Sequence, residues 1–304
     1  MKNYFFILFL FLNLFSQSIY AQKNYETIIK DTEDSLTILF DSLYRKQGPR
    51  YCAVDKEKQQ LNKHIVKLFS TIMSYKETME YPFSQLPYVS IQTSKDKKVR
   101  LYVWDTRNDD YTHTYRGFVQ YYLSRKKKVV WKYLNDYSDS ISNPQSMRLD
   151  NKHWYGNLIY EIVEEKYHRK KYYTLIGWDE NNLLTSKKII DVLYFSSSGR
   201  PHFGRRMFVV GRKKYFRLIY EYSAKVAMVV HYDKRYDMIV MDHLSPPQKL
   251  YTGLYQFYGP DGSYDGLVFK KGKWHLVPNI KVVNKKRKGI KENATGKPPL
   301  PKIK

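Results

Sequence analysis

The residues able to do chemistry fall in three short segments. Trp178-Asp179 followed by Asn181-Asn182 sets a flat ring beside amide and carboxylate groups, the combination a sugar uses for stacking and hydrogen bonding. Asp242-His243 places an acid next to an imidazole, the ingredients of proton transfer. Asp261-Gly262-Ser263-Tyr264-Asp265-Gly266 spaces oxygen donors at alternate positions around a glycine, like the start of a calcium loop. Each segment has a limit in its own spacing. Neighbours on a strand face opposite sides, so Asp242 and His243 need a third group to couple them. The calcium loop meets Gly272 at its twelfth position, where a bidentate Glu is required, and Asp with Gly equally makes an ordinary turn. No cofactor is therefore expected, and Ca²⁺ at Asp261, Ser263 and Asp265 is the one ion the spacing suggests. The candidate ligand-binding set is Trp178, Asp179, Asn181, Asn182, Asp242, His243, Asp261, Tyr264 and Asp265. No catalytic residue stands out.

Other pairings are weaker still. Glu164-Glu165 is a carboxylate pair on one strand, so the two point apart. A four-residue turn, Asp233 to Tyr236, sets His231 opposite Met238 and away from His243. The lone Cys52 lies between helical segments with nothing to bring His64 to it, and reads as structural. The chain has no Gly-x-Ser-x-Gly elbow, His-Glu-x-x-His helix, phosphate loop or dinucleotide glycine fingerprint.

Two kinds of element must position these residues. In 22–85, Ile28, Ile29, Leu36, Leu39, Phe40 and Leu43 form one helical stripe, and Gly48-Pro49 ends it. Asp55 is placed to cap a second helix bearing Leu61, Ile65, Leu68, Phe69 and Ile72. From 86 to 279 the texture is short aromatic and β-branched runs between polar turns such as Ser94–Lys97, Ser124–Lys127 and Lys271-Gly272-Lys273. Met207–Val210 is expected to turn through Gly211–Lys213 into one strand, Tyr215–Tyr222. About a dozen strands in this style predict a mainly β fold. We expect an antiparallel meander, propeller-like, barrel-like or sandwich, preceded by a short α-helical N-terminal region. Arg100–Asp105 and Tyr173–Asp179 echo one another, each closing a strand on Trp-Asp.

The two ends carry different messages. Met1-Lys2-Asn3, apolar Tyr4 to Phe15 and then Ser16 to Ala21 have the layout of a signal peptide, 1–21, which predicts export to the periplasm or cell surface. Residues 280–304 hold nine Lys or Arg against one Glu, with Pro298-Pro299-Leu300-Pro301, and read as a basic disordered tail. The whole chain of 304 residues carries +24, which points to acidic partners. Basic runs placed mainly in turns, in an exported chain, make nucleic acid the lesser candidate. Thirty tyrosines beside many Lys, Asn and Ile also fit a biased base composition, so the aromatics alone prove no binding face.

Further segments carry a resemblance: Tyr172–Asn182, Lys188–Leu193, Pro201-His202-Phe203-Gly204, Asp242–Pro246 and Tyr258–Gly266. Over roughly 85–277 the chain resembles a family of uncharacterised exported proteins of Bacteroidota. The resemblance implies a location and a lineage but no reaction. We therefore expect a non-catalytic envelope protein that binds an anionic surface or polysaccharide. The alternatives are a hydrolase of envelope glycans or peptides using Asp and His of the β-domain loops, and an assembly subunit that docks a protein partner through residues 22–85.

Overall fold

The computed structural model describes residues 24–44 and 54–281. The signal segment 1–21, Gly48-Pro49, Cys52 and nearly all of the 280–304 tail lie outside the described residues. The fold is mainly β with a helical N-terminal region. Helix α1 covers 24–44 and α2 covers Asp55–Ile72.

Three open sheets follow, so the barrel alternative is not the one adopted. Sheet I runs β1 (Ser90–Thr93), β2 (Val99–Arg107), β3 (His113–Leu123) and β4 (Lys128–Asn135) in chain order. Sheet II uses β5 (Leu149–Asp150), β6 (Leu158–Tyr167), β7 (Lys170–Asp179), β8 (Thr185–Phe195) and β9 (Pro201–Phe203), ordered β5-β9-β8-β7-β6. Sheet III holds β10 (Phe208–Val210) and β11 (Lys213–Tyr215). β12 (Leu218–Ser223) returns to pair with β8 of sheet II. β13 (Val230–Asp233), β14 (Met238–Ser245), β15 (Gly259–Lys270) and β16 (Lys273–Val277) complete sheet III, ordered β11-β10-β16-β15-β14-β13.

Strand alternation makes these sheets into layers. On β2, Tyr102 and Trp104 face Phe40, Phe69 and Ile72 of the helices, while Leu101 and Val103 face Leu175 and Ile189 of sheet II. On sheet II, Tyr173 and Leu193 join that core, while Ile176, Ile190 and Val192 join Met241, Leu267 and Trp274 of sheet III. Sheets I and II are thus buried on both faces, in the order helices, sheet I, sheet II, sheet III.

Burial on both faces gives nearly every polar group inside a partner, the exceptions among the described residues being Arg100 Nε and Arg217 Nη2. Trp104 Nε1 donates to Asn62 Oδ1 at 2.8 Å, and Trp274 Nε1 donates to Thr174 Oγ1 at 2.9 Å. Gln120 Nε2 donates to Met73 O at 2.7 Å, taking up a carbonyl at the end of α2. Glu33 of α1 accepts from Tyr81 Oη and Gln85 N, which fastens that helix to the segment entering sheet I.

The structure corrects four local expectations. Asp55 is not the cap of α2. Val54 holds that position, and Asp55 instead accepts from Asp109 N at 3.0 Å, clamping the helix to the β2–β3 loop. The β13–β14 turn is shifted by one residue, because Asp237 takes the left-handed conformation with φ 52°. His231 therefore sits opposite Val240, and Asp233 opposite Met238. The strand expected over Tyr215–Tyr222 is two strands in two sheets, and β10 pairs with β16 in parallel, so the meander is not hairpins throughout. The aromatic and β-branched run Trp154–Glu164, expected to be one strand, begins as a strand only at Leu158, and Trp154 opens none. It forms an isolated bridge with Asp136 before β6 begins. The β15–β16 turn does follow its chemistry, since Lys271 and Gly272 have φ 49° and 76°, the two left-handed positions that a tight hairpin needs.

The break between β11 and β12 has a cause in Arg217. Its side chain is 0% exposed and its Nε donates to Asp191 Oδ2 of β8 at 2.8 Å. The guanidinium also donates to the carbonyls of Pro144 and Met147. This buried pair pulls the chain out of sheet III and onto the edge of sheet II. Arg217→Met leaves Asp191 buried without its counter-charge, and should cost about 3–5 kcal/mol in urea unfolding. A loss below about 1 kcal/mol, the size of a surface pair, would contradict this role.

Candidate functional site

The residues singled out from the sequence occupy two regions, and in both the side chains hold turns. At the β7–β8 turn, Asn181 takes a left-handed φ of 57° and its Nδ2 donates to Thr185 Oγ1. Asn182 Oδ1 accepts from Leu184 N and Thr185 N. Asp179 is buried, and Oδ1 accepts from Tyr115 Oη at 3.1 Å and Asn181 N at 2.8 Å. Burial raises its carboxyl above the ordinary value, partly offset by Lys187. The Trp178 ring meets the Lys188 ammonium at 5.8 Å, and that ammonium lies 4.6 Å from the Tyr160 ring. Burial pushes Lys188 down to about 8. The indole therefore already has a cation near its ring.

On β14 and β15, Met241 pairs with Asp265, which sets His243 and Asp265 on one face as diagonal neighbours, and Asp261–Ser263 bulge opposite His243. Asp265 supplies the third group that adjacent Asp242 cannot provide: His243 Nδ1 lies 2.8 Å from Asp265 Oδ2. Asp242 faces elsewhere and accepts from Val229 N. Asp261 Oδ1 accepts from Ser263 N and Oγ, and Asp265 Oδ1 accepts from Asn279 N. Tyr264 is 38% exposed on the same strand.

A second histidine cluster was not foreseen from the sequence. Asp105 lies two residues before the end of β2, which runs on past the Trp-Asp expected to close it, His113 begins β3 and Glu180 follows β7. His113 Nδ1 lies 3.0 Å from Asp105 Oδ2, and its Nε2 lies 3.5 Å from Glu180 Oε2. Tyr44 of α1 donates to Asp105 Oδ1 at 3.2 Å. Tyr115, two residues beyond His113, reaches Asp179. Burial and the neighbouring carboxylates raise both phenols well above 10. The Trp-Asp echo was the available signal, since Asp105 and Asp179 each meet one residue from the start of β3.

Sequence reading also passed over a basic groove. Tyr121 Oη donates to Gly199 O at 2.7 Å and Arg125 Nη1 donates to Ser197 O, which hold the β8–β9 turn against the β3–β4 hairpin. Gly199, at φ 82°, presses against Leu123 where a Cβ would clash. Between these turns lies a groove of about 670 Å³. Lys76, Lys126, Lys127, Lys128, Lys132 and Arg200 line it, with Trp131 and Tyr122, and no Asp or Glu. An adjoining hollow of about 560 Å³ mixes Lys97 and Lys98 with Glu26, Glu77 and Glu80, so the unmixed charge belongs to the first groove.

Comparison with known families, curated proteins and solved structures returned no match.

The His243–Asp265 contact makes a pH prediction. The hydrogen bond to Asp265 is the largest influence on His243 and raises it above 6.5, against a smaller opposing effect of burial. A raised folded value means the contact stabilises the protein fully below about 6.5 and is lost as pH rises through the raised value. The His243 ring resonances should titrate with a midpoint above 6.5 in NMR spectra, and Asp265→Asn should bring it back down. An unchanged midpoint in that variant would exclude Asp265 as the cause.

Proposed function

We propose that this protein is a non-catalytic, exported envelope protein that binds an anionic polysaccharide, or a surface coated with one, through the groove between the β3–β4 hairpin and the β8–β9 turn. The observation that carries this reading is six cationic side chains lining one groove free of carboxylates. Trp131 and Tyr122 add flat apolar surface for sugar rings. The groove is open and polar, the form expected for an extended polymer, and its lysines place point charges along a chain without demanding one geometry. The signal-like segment 1–21 supports export, and the basic 280–304 tail supports the same choice of partner. The apolar stripes of α1 and α2 lie against sheet I, so the groove, and not the helical pair, is the contact surface in this reading.

A second reading, hydrolysis of envelope glycans or peptides, has one observation in its favour. His243 is 43% exposed and is held by Asp265, the orientation a general base needs. His243→Ala should then abolish turnover of an envelope extract while leaving polysaccharide retention intact.

The leading reading is tested by affinity electrophoresis through a polyuronate gel over a salt series, using the full chain and a chain lacking 282–304. Both should be retarded, and retention should weaken steeply as salt screens the contacts. Lys126→Glu/Lys128→Glu should weaken binding of the shortened chain about tenfold or more, equivalent to about 1.4 kcal/mol. Retention that depends wholly on the tail, or is unchanged by the charge reversal, would remove the groove from the mechanism.

A further inference from the structure

We propose that His113 and Glu180 are the protein ligands of a divalent transition-metal site of the zinc type, with Asp105 orienting the imidazole. The inference is independent of polysaccharide binding. It begins with the roles of the two ring nitrogens. Asp105 offers only acceptor oxygens to Nδ1, so that nitrogen donates its N–H there. Tyr44 holds the other Asp105 oxygen, so the carboxylate cannot turn away. Nε2 then presents its lone pair toward Glu180 Oε2, a second electron-pair donor, at 3.5 Å. Two electron-pair donors facing one another across this gap are bridged by a positive centre, either a second ring proton or a metal ion.

The gap has the dimensions of a metal site. Bonds of about 2.0–2.2 Å to imidazole nitrogen and carboxylate oxygen, at a tetrahedral angle, set those two atoms about 3.4 Å apart. Asp105, His113 and Glu180 also form the one group of three metal-binding side chains whose donor atoms lie within 4.8 Å of one another among the described residues. A carboxylate that receives the second N–H of a ligating histidine is the usual outer support of such a centre, fixing the tautomer and the ring.

Burial suits the assignment as well. The His113 side chain is 5% exposed and Glu180 is 53% exposed, so the ring is locked while one ligand reaches solvent. Glu180 also lines a cavity of about 330 Å³ with Trp178, Asn182 and Lys188, a route by which an ion and its remaining water ligands can approach. The imidazole selects zinc-like ions over Ca²⁺ or Mg²⁺, which prefer oxygen alone. With two protein ligands, the site keeps open positions and binds modestly. The three residues come from sheet I and from the end of β7 in sheet II, so the ion bridges two layers.

The test is isothermal titration of the tag-free full chain with ZnCl₂, together with the visible spectrum of the Co²⁺ form. The expected result is saturable binding of one Zn²⁺ per chain, not displaced by Ca²⁺ or Mg²⁺, and tetrahedral Co²⁺ bands. Glu180→Gln, at an exposed position that folding tolerates, should abolish both signals, and His113→Gln should do the same. Asp105→Asn should weaken Zn²⁺ binding about 10–100-fold without abolishing it. No saturable Zn²⁺ binding, or Zn²⁺ binding by Glu180→Gln equal to that of the parent, would overturn the proposal. In that event a second N–H on His113 links it to Glu180.

Discussion

Burial of sheets I and II on both faces is the constraint on which the rest of this structure depends. A sheet with one wet face can leave a polar side chain in water, but the central residues of β2, β3, β7 and β8 cannot. Their residues split between two cores, as Leu101 and Val103 part from Tyr102 and Trp104. Nearly every polar atom between the layers is answered there, Arg100 Nε and Arg217 Nη2 excepted. That is why Gln120 reaches the end of α2, why Trp104 meets Asn62, and why Arg217 crosses to Asp191. The same requirement accounts for the break in sheet III. Residues that would extend β11 are diverted because Arg217 has its counter-charge on β8.

The layering also decides where chemistry can lie. The interiors of the strands are committed to packing, so polar groups with spare valence gather at strand ends and turns. Three such places emerge: the junction of β2, β3 and β7, the bulge of β15 against β14, and the groove between two hairpin turns. At the first, β2–β3 pairing sets Asp105 beside His113 and Tyr115, and Tyr115 reaches Asp179 at the end of β7. At the second, Asp261–Ser263 of β15 bulge opposite the single residue His243, whose ring meets Asp265. At the third, like charges from separate turns share a concave surface without a neutralising acid, which is tolerable because the lysine heads remain in water.

Much of the fold was legible in the residues. The stripes through Ile29, Leu36 and Phe40, and through Ile65, Phe69 and Ile72, marked the helices and the faces they bury. The Lys271-Gly272 turn announced its hairpin. Elsewhere a local rule met a competing choice. Asp55 looked like a cap, yet Asp109 lay close enough in space to take its place in a different arrangement. Counting from Asp233 misplaced His231 by two positions on its partner strand, because a non-glycine residue, Asp237, adopted the left-handed conformation. The candidate site was legible to a smaller degree. His243 and Asp265 were both singled out, but their contact depends on the register of β14 against β15, a pairing that local alternation does not set. His113 and Glu180 were not singled out, since 67 residues and two sheets separate them.

By itself, the sequence determined the secondary-structure class, the apolar faces, the charge of the chain and the signal-like and basic segments at its ends. These follow from periodicity and composition, which act over a few residues. Only the tertiary structure decided which strands share a sheet, how three sheets stack, and which polar groups become neighbours. Those outcomes depend on non-local pairing, where one bulge, one left-handed residue or one buried ion pair redirects a whole strand. The Lys126–Lys128 turn and Arg200 become a single groove only when the β8–β9 turn closes on the β3–β4 hairpin, and Trp104-Asp105 meets the segment after Trp178 only when sheet I lies upon sheet II.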